Sequence, residues 1–244
     1  MKYNLALKIL IIVSLIGGIS SFIGGIISCI FSIKNKKVIA LLYELTAGIM
    51  TSIVCFDVIP ESINISGSLI TIVGISIGIG FVYFCYLYEE KLKFNKSIKV
   101  LSETSIMIMF CMTFHNFLEG VAIGSSFCYS FSLGVSVLIS MILHDIPEGI
   151  IVGIVTKIKS ENNLKALKSS FFSGFLTGLG AFLGYLLGKI NNIYISFCLS
   201  IAAGCMLYIV SCDLIPNSKF LTKDKKVYLA YVFGILTGLI IIKI

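Results

Sequence analysis

The chain contains one stretch twice: residues 45–62 read LTAGIMTSIVCFDVIPES, and residues 201–218 read IAAGCMLYIVSCDLIPNS. Nine of the eighteen aligned positions are identical, and no gap is needed. The same offset of 156 residues pairs Gly18 with Gly174, one apolar stretch earlier. Repetition on this scale indicates that the two ends of the chain form two copies of the same structural unit.

The composition of the chain is that of an integral membrane protein. It is 57% hydrophobic and only 13% charged, far from the balance of a soluble domain. Apolar runs near the roughly 20 residues that cross a bilayer recur throughout, and the first lacks the cleavage site of a signal peptide. We predict an all-α membrane protein with eight transmembrane helices in a single domain over residues 1–244. The predicted helices cover about residues 5–33, 38–59, 67–88, 104–128, 131–156, 169–188, 193–215 and 227–242.

The repeat predicts how these helices are arranged. Helices one to three correspond to helices six to eight, and the second and seventh helices lie five crossings apart. The second copy is therefore inverted in the membrane. Helices four and five lie between the copies and repeat each other at an offset of 29 residues. Such an inverted 3+2+3 order is typical of secondary transporters, which bind their substrate near the midplane.

The central helix pair carries both histidines of the chain, in two similar motifs. Residues 115–120 read HNFLEG, and residues 144–149 read HDIPEG. A His and a Glu four residues apart lie on one helix face. The histidines lie about 17–20 Å into their spans at 1.5 Å per residue, which is mid-membrane. Ionisable groups at that depth are costly to bury and mark function.

These motifs supply a mixed nitrogen and oxygen ligand set. The set suits zinc, manganese, cobalt or ferrous iron better than an alkali cation. The alternatives are a structural hydrogen-bonded pair, an intramembrane metalloenzyme that uses the same metal, and a metal-free receptor. The metalloenzyme alternative lacks the HExxH order of zincins. The candidate metal ligands are His115, Asn116, Glu119, His144, Asp145 and Glu148, with Met50 as a soft thioether candidate.

Further polar residues in the spans have weaker claims. Asp57 and Asp213 precede prolines, and we predict that they end their helices or attract cations at opposite sides of the membrane. Glu44 and Glu61 are similar candidates. The eight cysteines form no CxxC pair, and they are interpreted as small apolar core residues.

The basic residues predict the orientation of the chain. All 19 are lysines, and 15 of them follow the first, third, fifth and seventh predicted helices. By the positive-inside rule these loops are cytoplasmic, so both termini face outward across the cell membrane. The net charge of +7 needs no nucleic-acid partner, since no basic face is interleaved with aromatic residues.

The two motifs resemble those of the ZIP (Zrt/Irt-like) family of divalent metal transporters, most of all its short prokaryotic members. The resemblance covers the whole chain and implies a binuclear site and a possible homodimer. It implies one metal position with Glu119, Glu148, His115 and Met50 as ligands. It implies a second position with Asn116, Asp145 and the same two bridging glutamates, and it implies that His144 lies near the pathway.

One departure from the family pattern concerns the sixth helix. Family members carry a glutamate there in an SGxxEPxGA-like stretch, whereas this chain has Thr177 within residues 173–181, SGFLTGLGA. We therefore expect a weaker second metal position. The sequence as a whole predicts a transporter, not an enzyme, that takes up zinc-like cations by alternating access and needs no catalytic cofactor.

Overall fold

The computed structural model describes residues 2–30, 35–93, 100–187 and 192–242, and it is built from helices. This confirms the all-α prediction. We number the α-helices α1 Lys2–Ile30, α2 Lys36–Ile53, α3 Ile59–Ser66, α4 Ser68–Lys93, α5 Val100–Tyr129, α6 Phe131–Ser160, α7 Asn163–Phe175, α8 Thr177–Leu187, α9 Asn192–Ile209, α10 Ile215–Leu221 and α11 Tyr228–Ile242.

Several helical segments are long and apolar enough to cross a bilayer. Within the described residues five such segments meet this criterion of length and composition. Their bounds are Asn4–Ile30, Lys36–Ser66, Ser68–Leu87, Asn163–Leu186 and Ile193–Leu221. Each overlaps a predicted span.

The predicted helix ends before Pro60 and Pro216 are wrong. A π-helical turn, Val54–Val58, joins α2 to α3, and a second one, Val210–Leu214, joins α9 to α10. Each proline therefore falls in the first turn of the following α-helix, where its missing N–H would be unsatisfied in any case. As a result Asp57 and Asp213 lie inside π-helical turns and not at helix ends.

The predicted sixth span contains a break that we did not expect. The α-helix α7 ends at Phe175 and α8 begins at Thr177, with Leu176 between them. Glycines flank this point at positions 174 and 178, and glycine weakens a helix interior. The helix α6, in contrast, runs through Pro147, although a proline removes one hydrogen bond from a helix interior.

Side-chain contacts recur at the offset of the sequence repeat. The Ser62 hydroxyl donates to the Ser196 carbonyl at 3.1 Å, and the Ser218 hydroxyl donates to the Ala40 carbonyl at 3.4 Å. Residues 62 and 218 are 156 positions apart, as are residues 40 and 196. The two π-helical turns are separated by the same 156 positions. The repetition seen in the sequence therefore extends to local structure and packing.

The helices pack in two groups. In the first, α1 and α7 pack on α6, and α8 packs on α5. In the second, α11 packs on α2, and α4 packs on α9. The groups meet mainly where α5 packs on α9 and α2 packs on α6. Each copy of the repeat therefore contributes one predicted span to the first group and two to the second, with α7 and α8 together forming one span.

An ion pair joins the first turn of α2 to the segment before α11. The Lys37 ammonium lies 2.6 Å from the Asp224 carboxylate. Hydrogen bonds from Lys37 and from the backbone N–H of Lys226 lower the pKa of Asp224. The contact ties the start of α2 to the segment before α11.

Candidate metal site

Five candidate metal ligands on α5 and α6 have described side chains, and all five are buried. The exposed fractions of His115, Asn116, Glu119, Asp145 and Glu148 are 2% or less. Burial of several ionisable groups is costly unless they meet one another or a cation. The central helix pair therefore contains a polar centre inside an apolar protein. The backbone of His144 belongs to α6, but its side chain lies outside the described part of the structure.

Three of these side chains meet at one imidazole nitrogen. Nε2 of His115 lies 2.8 Å from Oε1 of Glu119 and 3.1 Å from Oε1 of Glu148. The first contact joins residues one turn apart on α5, as the motif predicts, and the second crosses to α6. The structure thus brings a nitrogen and two carboxylates together from both motifs.

The spacing of these atoms is slightly shorter than metal ligation requires. Two ligand atoms bound about 2.0–2.1 Å from a tetrahedral zinc ion lie about 3.3–3.4 Å apart. Among the residues that the structure describes, no group of three or more His, Cys, Asp or Glu side chains is arranged to hold a metal ion.

The Asn116 side chain has a defined orientation. Its Nδ2 group donates to the carbonyl oxygen of Ser173 at 3.3 Å and to the Ser173 hydroxyl at 3.2 Å. Its Oδ1 atom is buried and has no hydrogen-bond partner among the described residues. An amide oxygen in that position can accept a hydrogen bond or bind a cation.

The Asp145 side chain is contacted from α1. The Ser20 hydroxyl lies 2.9 Å from Oδ2 of Asp145, and Ser20 is itself buried. The neighbouring Ser21 hydroxyl donates instead to the backbone carbonyl of Asp145, at 3.5 Å. Neither Ser20 nor Ser173 is among the ligands predicted from the sequence, so both are additions to the site.

Thr177 at the start of α8 lies close to both α5 and α1. Its side chain is 2% exposed, and its hydroxyl has no hydrogen-bond partner in the described parts of the chain. A methyl group added at Gly120 on α5 would collide with the Thr177 carbonyl. One added at Gly149 on α6 would collide with the Ser21 carbonyl. The motif glycines therefore let α8 and α1 approach the ligand-bearing helices closely, as small residues do in membrane helices.

The remaining candidates lie in different surroundings. Met50 is fully buried in an apolar cluster with Met112 and Met206, so its role as a ligand stays a prediction. Glu44 and Asp213 are 2% and 3% exposed. In contrast, the Asp57 side chain is partly buried, and Glu61 is exposed. The cysteines also differ, since Cys205 is buried while Cys55 and Cys212 are exposed as free thiols.

Comparison with known proteins identifies the family. The family described as "ZIP Zinc transporter" matches residues 88–244. The chain belongs to the ZIP zinc transporter family. The zinc transporter ZupT of Streptococcus mutans is 30% identical over 253 aligned residues, which cover 96% of this chain and 94% of the relative. ZupT of Clostridium perfringens is 28% identical with 96% and 93% coverage, and the zinc transporter GufA of Myxococcus xanthus is 34% identical over 116 residues, with 47% and 46% coverage.

Membership in the ZIP family confirms the family named from the two motifs. It also confirms that the chain is a multi-pass transporter and not an enzyme, because the ZIP family is one of transporters. The metalloenzyme alternative is thereby set aside.

Proposed function

We propose that this ZIP protein takes up zinc and similar divalent cations across the cell membrane into the cytoplasm. The observation that carries the proposal is the meeting of one imidazole nitrogen and two carboxylates, from His115, Glu119 and Glu148, on α5 and α6. In the proposal these three residues bind the transported ion. Met50 completes the site, and His144 lies along the pathway.

The chemistry of the donor atoms supports a zinc-like substrate. An imidazole nitrogen with carboxylate oxygens suits zinc and its neighbours among the divalent metals. Asn116 and Asp145 add only oxygen donors, and they would form a second position that shares Glu119 and Glu148. Zinc, iron, manganese and cobalt are all substrates in this proposal, in an order that transport measurements would establish.

Alternating access through eight crossings is the proposed mechanism. The inverted 3+2+3 arrangement is supported by contacts and π-helical turns that recur at 156 positions. The packing favours movement between the two helix groups, because α1, α7 and α8 pack closely on the ligand-bearing α5 and α6. The first group would carry the ion past the second, with the α5–α9 and α2–α6 contacts rearranging. A homodimer, as the family resemblance implies, is part of the proposal.

Uptake by the purified protein tests the function. Proteoliposomes that contain the full chain and an internal zinc-sensitive dye should accumulate zinc. Manganese, cobalt and ferrous iron should also be taken up, whereas potassium and sodium should not. Liposomes without protein give the background. Zinc accumulation no faster than this background would contradict the proposal.

The orientation is tested by labelling. We expect single cysteines that replace Lys96 or Lys225, in a variant without native cysteines, to react with membrane-impermeant maleimide only after the cytoplasmic side is opened. The reason is the concentration of lysines in these loops. Lys225 begins a short 3₁₀ turn before α11, while Lys96 lies outside the described residues. A cysteine in place of Lys2 should react in intact cells, and the reverse pattern would refute the proposed topology.

A further inference from the structure

Two hydroxyl groups outside the ligand-bearing helices hold candidate oxygen ligands. Ser20 on α1 contacts the carboxylate of Asp145 on α6, and Ser173 on α7 contacts the amide of Asn116 on α5. All four side chains are at least nine-tenths buried, with Ser173 the most exposed at 6%. Each contact therefore reaches a candidate ligand from a neighbouring helix, without water access.

The Ser20 contact restricts the rotation of the Asp145 carboxylate. The Ser20 hydroxyl lies 2.9 Å from both the Gly17 carbonyl and Oδ2 of Asp145. A hydroxyl has one proton, so the two acceptors share it. The terminal side-chain torsion of an aspartate adopts a broad range of angles. A hydrogen bond from a buried donor to one carboxylate oxygen narrows that range. When a cation draws the carboxylate away, the hydroxyl proton still has the Gly17 carbonyl as acceptor.

The Ser173 contact determines which end of the Asn116 amide faces the site. The Nδ2 group is held by two oxygen atoms of Ser173, at 3.2 and 3.3 Å. The Oδ1 atom is then left as the only end of the amide that can bind a cation. A reversed amide would direct N–H donors toward the site, and these repel a cation.

We propose that Ser20 and Ser173 are positioning residues that determine how well the second metal position competes for its ion, and thereby the metal preference of the transporter. The inference rests on the proposed function of the site. Oxygen ligands favour harder cations such as manganese, whereas the imidazole of His115 favours zinc. Loss of the oxygen ligands' orientation should therefore affect manganese more than zinc.

Matched serine variants separate positioning from general stability. Ser20→Ala and Ser173→Ala remove the hydroxyls that touch candidate ligands. Ser21→Ala and Ser170→Ala are their controls, because these hydroxyls lie on the same two helices and bond only backbone carbonyls, of Asp145 and Gly149. Ser20→Thr keeps the hydroxyl and should therefore keep the unmodified ratio of manganese to zinc KM.

We expect Ser20→Ala to lower manganese affinity, measured as KM for uptake into proteoliposomes and by calorimetry, by about tenfold, since loss of such an outer contact typically costs 10–100-fold. Zinc KM should change less than threefold, and kcat should stay near the unmodified value. Ser173→Ala should act in the same direction but less, because the Ser173 carbonyl still accepts from Asn116. The control variants should keep the unmodified ratio of manganese to zinc KM.

Each outcome bears on one proposal. If the unmodified protein transports zinc and Ser20→Ala keeps its ratio of manganese to zinc KM, the positioning role is refuted while the transport function stands. An equal shift in Ser21→Ala would also refute it, since that variant leaves the carboxylate contact intact. Failure of the unmodified protein to transport any divalent metal would overturn the proposed function itself.

Discussion

The Glu119→Gln and Glu148→Gln variants are expected to lose nearly all zinc uptake. Both carboxylates lie within 3.1 Å of the same nitrogen of His115 and are almost fully buried. Glutamine keeps the size of each side chain but removes a negative charge that no water can replace. Breaking a buried charge pairing costs about 3 kcal/mol or more, and about 1.4 kcal/mol is a factor of ten. Uptake should therefore fall by about two orders of magnitude.

The matched control for these variants is Glu61→Gln. Glu61 lies in the first turn of α3 and its side chain is exposed, unlike the two buried site glutamates. Initial zinc uptake rates, at equal amounts of reconstituted protein, should be near normal in this control. Near-normal uptake in both site variants would refute the proposed mid-membrane site.

The helical fold could be predicted because a membrane-spanning helix is recognised from the composition of a short stretch of sequence. Each predicted span needed only a sufficiently long apolar run, and the all-helical structure follows. The helix ends were harder, because they depend on the backbone. Proline usually ends an α-helix. Before Pro60 and Pro216, however, π-helical turns shift the hydrogen bonds, so that each proline lies in the first turn of the next α-helix. Nothing in a proline alone distinguishes these outcomes.

The helix break at Leu176 is a second feature that could not be predicted from the sequence. At this break α1 lies so close to the end of α7 that a methyl group added at Gly17 would collide with the Gly174 carbonyl. Such a contact joins residues more than 150 positions apart. Glycines at both places were visible in the sequence, but their partners were not.

The candidate site likewise contains some contacts that could be predicted from the sequence and others that could not. His115 and Glu119 lie one turn apart, so helix periodicity alone predicts their contact. The contact with Glu148 follows once the two motifs are placed on neighbouring helices. Ser20 and Ser173 were missed because serines occur throughout membrane helices and reveal a partner only after packing. The offset of 156 pairs Ser21 with Thr177, and this is the signal that could have directed attention to both helices.

The Thr177→Glu variant is expected to bind a second metal ion more tightly than the unmodified protein. Thr177 is buried beside Gly120 of the ligand-bearing helix α5, where the family pattern has a glutamate. Two adjacent dications repel each other strongly in a low dielectric, so each carboxylate added beside them favours double occupancy. We expect one tightly bound zinc per chain in the unmodified protein and close to two in the variant, by elemental analysis and calorimetry.

Thr177→Gln is the matched control, because it has nearly the volume of glutamate without the charge. In chelator the glutamate variant should unfold at a lower temperature than the glutamine variant, since it buries an additional carboxyl group with no cation. Zinc should raise the unfolding temperature of the glutamate variant more than that of the glutamine variant, because a ligand that binds only the folded state stabilises that state. Two equally tight ions in the unmodified protein would instead mean that Asn116 and Asp145 complete the second position without an acid from α8.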